Sequence, residues 1–121
     1  MNPYLFPLLN QKSRDSLKSN QYSEATTIDD IVEATCLYFG ISKEDLVAHN
    51  RKRGIIVARK IICYLGAWRF PLIAIAVKVG LTDHSSVIHH RDDIIDKLSI
   101  KDKELILHIN NISNEIKKIK S

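Results

Sequence analysis

An all-α fold of about six helices, two of them joined as a helix-turn-helix, is what this 121-residue chain predicts. Three observations lead there. Four glycines and three prolines supply chemistry for few turns. Apolar residues recur at spacings of three and four, the helical period, and no useful stretch alternates with the period of two that a half-buried strand needs. An apolar run, Pro71 to Val79, is closed by Gly80 and followed by a second helix opening on Asp83-His84-Ser85-Ser86. That order of helix, glycine turn and helix with a polar first turn is the pattern of a helix-turn-helix.

Residues 1–25 read as a separate mobile arm. Pro3 and Pro7 precede a polar run, Gln11 to Ser23, without apolar periodicity. Tyr4, Leu5, Phe6, Leu8 and Leu9 form a short apolar plug suited to docking on the domain or on a partner. The helical domain is expected over 26–121. Thr27 caps its first helix, with Asp30 three residues on, and Asp29 and Asp30 suit the positive end of the helix dipole. Ile28, Ile31, Val32, Thr35 and Phe39 fall on one stripe, which Gly40 ends. A second box, Ser42-Lys43-Glu44-Asp45, opens a short helix through about Ala48. Asn50 to Gly54 is a basic loop. A longer helix from about Ile55 to Trp68 turns Ile55, Ile56, Ala58, Ile61, Ile62, Leu65 and Trp68 inward and leaves Arg59 and Lys60 outside. Pro71 fits the first turn of the fourth helix, where its missing N–H costs nothing. Gly80 fits a left-handed C-cap. The fifth helix begins at Thr82 or Asp83 and buries Val87, Ile88, Ile94, Ile95 and Leu98, so the helix-turn-helix covers about 71–98. The last helix begins near Ser99. Its Leu105, Ile109, Ile112, Ile116 and Ile119 step by four and three, a heptad seam. That seam fits a clasp across the chain's own core or a dimer contact.

Composition narrows the class. Hydrophobic residues make up 45% and charged residues 26%, the balance of an ordinary globular protein. Cys36 and Cys63 match no CxxC spacing and read as buried thiols in a reducing cytoplasm. No apolar run reaches membrane-spanning length, since Arg59 and Lys60 interrupt Ile55 to Leu65. Met1-Asn2-Pro3-Tyr4 lacks the basic start of a signal peptide. His84, His89 and His90 do not share a helix face and have no cysteine nearby, so no metal site is expected. Lys52-Arg53-Gly54 is not a phosphate-binding loop, and no nucleophile elbow is present. The expectation is a cytoplasmic, non-enzymatic protein without nucleotide, cofactor or membrane partner.

Charge is distributed unevenly. From Leu46 to Thr82 there is no acid, against seven cations: Arg51, Lys52, Arg53, Arg59, Lys60, Arg69 and Lys78. Thr27 to Asp45 holds five acids and one lysine, a net of −4, and Asp83 to Ser121 holds seven of each. A basic middle between acidic and neutral flanks suits one face for phosphate. Asp83 either caps its helix or accepts from a cytosine amino group. His84 can donate to a base or pack on a thymine methyl, and Ser85 and Ser86 can reach a base edge or a phosphate. Arginines of the Arg51-Lys52-Arg53 loop can enter the adjacent minor groove, whose potential deepens where A·T-rich sequence narrows it.

Together these residues resemble the C-terminal DNA-binding domain of the bacterial replication initiator DnaA, from about Thr26 to Leu98. The motifs that carry the likeness are Ile28 to Phe39, Asp45-Leu46, Arg51-Lys52-Arg53, Ala58-Arg59-Lys60 with Tyr64-Leu65, and Asp83-His84-Ser85-Ser86-Val87-Ile88-His89. The resemblance implies a helical, Trp-repressor-like domain that binds double-stranded DNA at an A·T-rich box ending in CCACA. It matches Arg51 to a minor-groove arginine and Asp83, His84 and Ser85 to major-groove readers. It matches Arg53, Arg59, Leu72, Ser86 and His89 to positions near phosphates or bases. Lys52, Lys60 and Thr82 complete the candidate set. The chain departs from the family in having Gly80-Leu81-Thr82 where Gly-Gly-Arg is usual. The loop after Tyr64-Leu65 is about two residues short, and Ala67 stands where a basic residue is common. The 121 residues hold no ATPase domain, so the expected role is site occupancy. A non-catalytic, nucleoid-associated bacterial regulator of replication initiation or transcription fits. The alternatives are a protein-interaction or dimerisation module built on the arm and the heptad helix, with a second copy or a replication protein as partner, or an accessory domain of a transposase or nuclease.

Overall fold

In the computed structural model the described residues are 26–48 and 51–120. They form six helices and no strand: α1 (Ile28–Phe39), α2 (Lys43–Val47), α3 (Arg53–Gly66), α4 (Leu72–Lys78), α5 (His84–Ser99) and α6 (Lys103–Lys120). The arm and its apolar plug at Tyr4 to Leu9 lie outside the described residues. No described helix is long and apolar enough to cross a membrane.

Both predicted capping boxes form. Thr27 Oγ1 accepts from the Asp30 N–H at 3.1 Å while Asp30 returns the contact to the Thr27 N–H at 2.9 Å. Ser42 and Asp45 repeat the exchange at 3.0 and 3.3 Å. Gly40 closes α1 in the left-handed region, at φ 68°. The α1 stripe is seated through Ile31, Val32 and Thr35, with Ile28 and Phe39 half-buried.

The centre of the core is α3, whose Ile55, Ala58, Ile61, Ile62 and Leu65 are all buried. One side of it meets α1 and the other meets α5. The helix ends at Gly66, and here the expectation for Trp68 fails. The chain leaves α3 through a turn in which Arg69 and Phe70 both donate to the Gly66 carbonyl. That turn breaks the helical phase which would have carried Trp68 inward. Trp68 is 41% exposed and rests edge-on against Tyr64. Cys36 and Cys63 are buried free thiols, and burial pushes Cys63 up to about 12.

In α4, Ile75 and Ala76 are buried and Ile73 and Val77 are exposed. Gly80, at φ 75°, turns the chain back so that the Leu81 N–H reaches the Ala76 carbonyl at 2.9 Å. Glycine is required there twice over. A Cβ at Gly80 would sit 2.6 Å from the Val47 carbonyl oxygen and 2.8 Å from its Cα. Val87 and Ile94 of α5 are buried, and Ile88, Ile95 and Leu98 half-buried.

The last helix begins at Lys103 rather than near Ser99. Lys101 adopts φ 59°, and Asp102 caps the new helix by accepting from the Leu105 N–H at 3.1 Å. The heptad residues Leu105, Ile109, Ile112 and Ile116 are buried in the chain's own core, with Ile119 half-buried, and α6 packs chiefly on α1. Full burial of one such side chain stabilises by about 2 kcal/mol. The seam is therefore a clasp, spent inside the chain and not presented to a second copy. Tyr38 Oη and His108 Nδ1, 2.7 Å apart, add a polar tie between α1 and α6.

Candidate nucleic-acid interface

The first turn of α5 is open to solvent. Thr82, Asp83, His84, Ser85 and His89 are exposed and Ser86 is half-buried. The side of α5 that carries Val87 and Ile94 faces the core, which leaves Ser85 and His89, one turn apart, on an outward face. Asp83 is the N-cap: its Oδ1 accepts from the Ser86 N–H at 2.9 Å. That backbone bond holds its carboxyl below the usual carboxylate range. A carboxylate has more acceptor sites than one cap uses, so capping does not exhaust Asp83. It stays ionised at neutral pH with lone pairs to offer an incoming amino group.

The Arg51-Lys52-Arg53 segment is exposed throughout. Lys52 is the N-cap of α3, its carbonyl accepting from the Ile55 and Ile56 N–H groups at 3.1 and 3.0 Å. The predicted loop is thus shorter than expected, because Arg53 is already helical. Arg51 and Arg53 have no hydrogen bond or ion pair with the described residues. The segment is held in place by its mount on α3, and both guanidinium groups are available to a ligand.

Other candidate cations are differently employed. Arg59 is half-buried and folds its guanidinium onto the end of α2. Its Nε and Nη2 donate to the Leu46 carbonyl at 3.2 and 2.8 Å, and Nη2 donates to the Ala48 carbonyl at 3.0 Å. Lys60 pairs with Asp93 at 2.8 Å, and Lys97 shares that carboxylate at 3.1 Å. The Lys60 bond is the main reason that the Asp93 carboxyl lies below its ordinary range. His90 stands over the same charges. Its burial, then Lys60 and Arg59, push its pKa below the usual imidazole value, with Asp93 opposing and His89 adding a smaller repulsion. Leu72, the first residue of α4, is half-buried.

One contact ties the two exposed segments to a common point. The main chain of Val47 abuts Gly80. Arg51 lies four residues beyond Val47, and Asp83 three residues beyond Gly80. At no more than ~3.6 Å of chain per residue, the seven residues and the contact itself bound the Arg51–Asp83 separation at about 30 Å. Sequence reasoning singled out both segments and missed this joint. The Arg59 fork, which fixes the carbonyls on either side of Val47, was also missed. Only the glycine itself hinted at the joint, and the carbonyls that Arg59 grips carry no sequence signal. Among the described residues, no group of three or more His, Cys, Asp or Glu side chains could hold a metal ion.

A family model described as the bacterial dnaA protein helix-turn-helix matches residues 28–94, from the start of α1 to the buried Ile94 of α5. The chain is 30% identical over 117 residues to the chromosomal replication initiator protein DnaA of Levilactobacillus brevis, a match covering 93% of this chain and 26% of the relative. It is 35% identical over 103 residues to the protein of the same name from Desulfotalea psychrophila, covering 83% and 20%. A third relative of that name, from Chlorobaculum tepidum, is 32% identical over 93 residues, covering 75% and 18%. The chain thus spans about a quarter or less of the length of these relatives.

Proposed function

The chain belongs to the bacterial DnaA helix-turn-helix family, and from that premise we propose that it binds double-stranded DNA in a sequence-specific manner. The site is a DnaA-box-like duplex, A·T-rich and ending in CCACA. The first turn of α5 enters the major groove, where Asp83 accepts from a cytosine amino group and His84 and Ser85 contact neighbouring base edges. Arg51 enters the adjacent minor groove, and Lys52 and Arg53 lie along the phosphates. Ser86 and His89 approach the backbone further along α5. The chain occupies sites without catalysis of its own, as a cytoplasmic, nucleoid-associated regulator of replication initiation or transcription.

The observation that carries this reading is an exposed polar helix start together with two exposed arginines, Arg51 and Arg53, that have no partner among the described residues. A structural cap alone would not call for Arg51 and Arg53 to stand unengaged nearby. Fluorescence anisotropy with a labelled DnaA-box duplex and a scrambled duplex of equal composition tests it. The box should bind at least about tenfold more tightly at physiological salt. Arg51→Ala should weaken the box chiefly where it is A·T-rich. Equal affinity for the two duplexes would remove the sequence-reading role.

A further inference from the structure

A second recognition feature lies behind the arginine segment. A groove of about 540 Å3 opens between the start of α3, the end of α1 and the α5–α6 connection. Its floor is apolar, formed by Phe39, Ile56, Val57, Ile94 and Leu105. Arg51 and Arg53 stand on one rim, with Lys60 and Lys97 beside them. Asp102, Glu104 and His108 also line it. Both carboxylates keep their charge, so an acidic ligand belongs on the α3 side. Asp102 caps α6, and His108 is bonded to Tyr38 through Nδ1 and lies 3.9 Å from Glu104 through Nε2.

We propose that this groove is a docking site for an acidic peptide segment of a partner protein, with one large apolar side chain seated on the floor and carboxylates against Arg51 and Arg53. The volume fits one or two large side chains, and a whole helix would not enter it. Charge complementarity selects the rest of the ligand. The α3 rim carries two guanidinium groups with no partner among the described residues. Beside them, two lysines share the single carboxylate of Asp93, which leaves that cluster one charge positive. Apolar lining beside an excess of positive charge on the α3 side favours an acidic sequence with a bulky anchor. The chain's own residues 1–25 complement it poorly, because Lys12, Arg14 and Lys18 outnumber Asp15 and Glu24. A consequence follows that rests on the DNA reading above. The same two arginines cannot hold the peptide and the DNA together, so the peptide and the duplex exclude one another.

The test uses the full chain and a short fluorescein-labelled peptide with a run of Glu and Asp beside a Leu-Phe pair. One control replaces that pair by Ser-Ser, and the other replaces the acids by Gln and Asn. Saturable binding is expected, weakened about tenfold by either change. Lys97→Glu, on an exposed rim position outside the DNA candidates, should weaken it about five- to tenfold. Val57→Thr, which trims the floor without adding charge, should also weaken it, with circular dichroism confirming that each variant is folded. Adding the DnaA-box duplex should release the peptide. Peptide that binds no better than its controls, or equally well to both variants, would overturn the site while leaving the DNA reading intact. Peptide that binds as described to a chain that binds no duplex would sustain the site and overturn the DNA reading. A duplex that binds without releasing the peptide would overturn the exclusion.

Discussion

Gly80→Ala places a methyl group against the main chain of α2, and the structure allows its effect to be worked out. The residue sits at φ 75°, where an L side chain costs roughly 1–2 kcal/mol. The added Cβ would also meet three main-chain atoms of Val47 at 2.6, 2.8 and 3.1 Å, against an ordinary contact of 3.4 Å or more. Closing that shortfall means moving α2 or opening the turn. Neither gives easily, because Arg59 grips the carbonyls of Leu46 and Ala48 on either side of Val47. Overpacking of this kind adds about 1–3 kcal/mol, for a total of about 3 kcal/mol. Gly40→Ala is the internal control. It has the same backbone sign, at φ 68°, but nothing lies within 4 Å of its Cβ. It should lose only the backbone part, about 1 kcal/mol. Urea unfolding followed by circular dichroism, with unchanged m-values, gives both numbers. Equal losses in the two variants would refute the claim that the helix-turn-helix is locked to α2 through this contact.

Three further outcomes follow from the site. Arg59→Met should destabilise by about 2 kcal/mol, through the lost bonds to Leu46 and Ala48, and should leave the salt dependence of DNA binding unchanged. A salt slope shallower by about 0.9, with stability intact, would instead make Arg59 a phosphate contact. Asp83→Asn should keep the cap and relax discrimination at one C·G pair by about tenfold. Asp83→Ala should relax it equally and lower the melting temperature as well, so a lowered melting temperature with base preference untouched would leave Asp83 a cap alone. His90 has a folded-state pKa below its ordinary value, so the unfolded chain takes up its proton first as pH falls. The urea midpoint should fall from about pH 6.5 downward, and His90→Gln should flatten that fall. An unaltered profile would remove His90 from the account.

The elements were legible in the sequence wherever a local rule sets them. Thr27 with Asp30 and Ser42 with Asp45 are short-range exchanges written three letters apart, and both form. Gly40 and Gly80 mark left-handed turns that other residues resist. The side-chain pattern misleads where backbone geometry decides the element's end. Extending the α3 period past Gly66 places Trp68 in the core, yet the turn that breaks the period is built from backbone bonds. The sequence places the start of α6 near Ser99, but Lys101 takes a conformation unusual for lysine and delays it to Lys103. At the candidate site the exposed residues were identifiable by type and order. What each cation does in the free fold was not, since Lys60 meets Asp93 across 33 positions of sequence.

That division of the cations bears on how strongly the chain should hold nucleic acid. Counting letters gives seven positive charges between Leu46 and Thr82 and, if all met phosphate, a log–log salt slope of about −6. The fold withdraws several of them. Lys60 and Lys78 each face a carboxylate, Asp93 and Asp29, at 2.8 Å. Arg59 keeps its charge but directs three donor contacts to carbonyls of its own chain. Arg69 is set over the Phe70 ring at 5.4 Å, and the exposed Arg51-Lys52-Arg53 segment remains as the main group for the duplex, which predicts a slope of about −3. Binding should therefore weaken only moderately with salt, and a larger share of the affinity must come from base contacts at the start of α5. A box duplex titrated between low and physiological salt measures this directly. A slope near −6 would mean that the ion pairs to Asp93 and Asp29 break on binding and that the whole acid-free stretch meets the backbone. A slope near −3, with the scrambled duplex falling to no measurable binding at the upper salt, would place specificity in the polar turn that Gly80 sets.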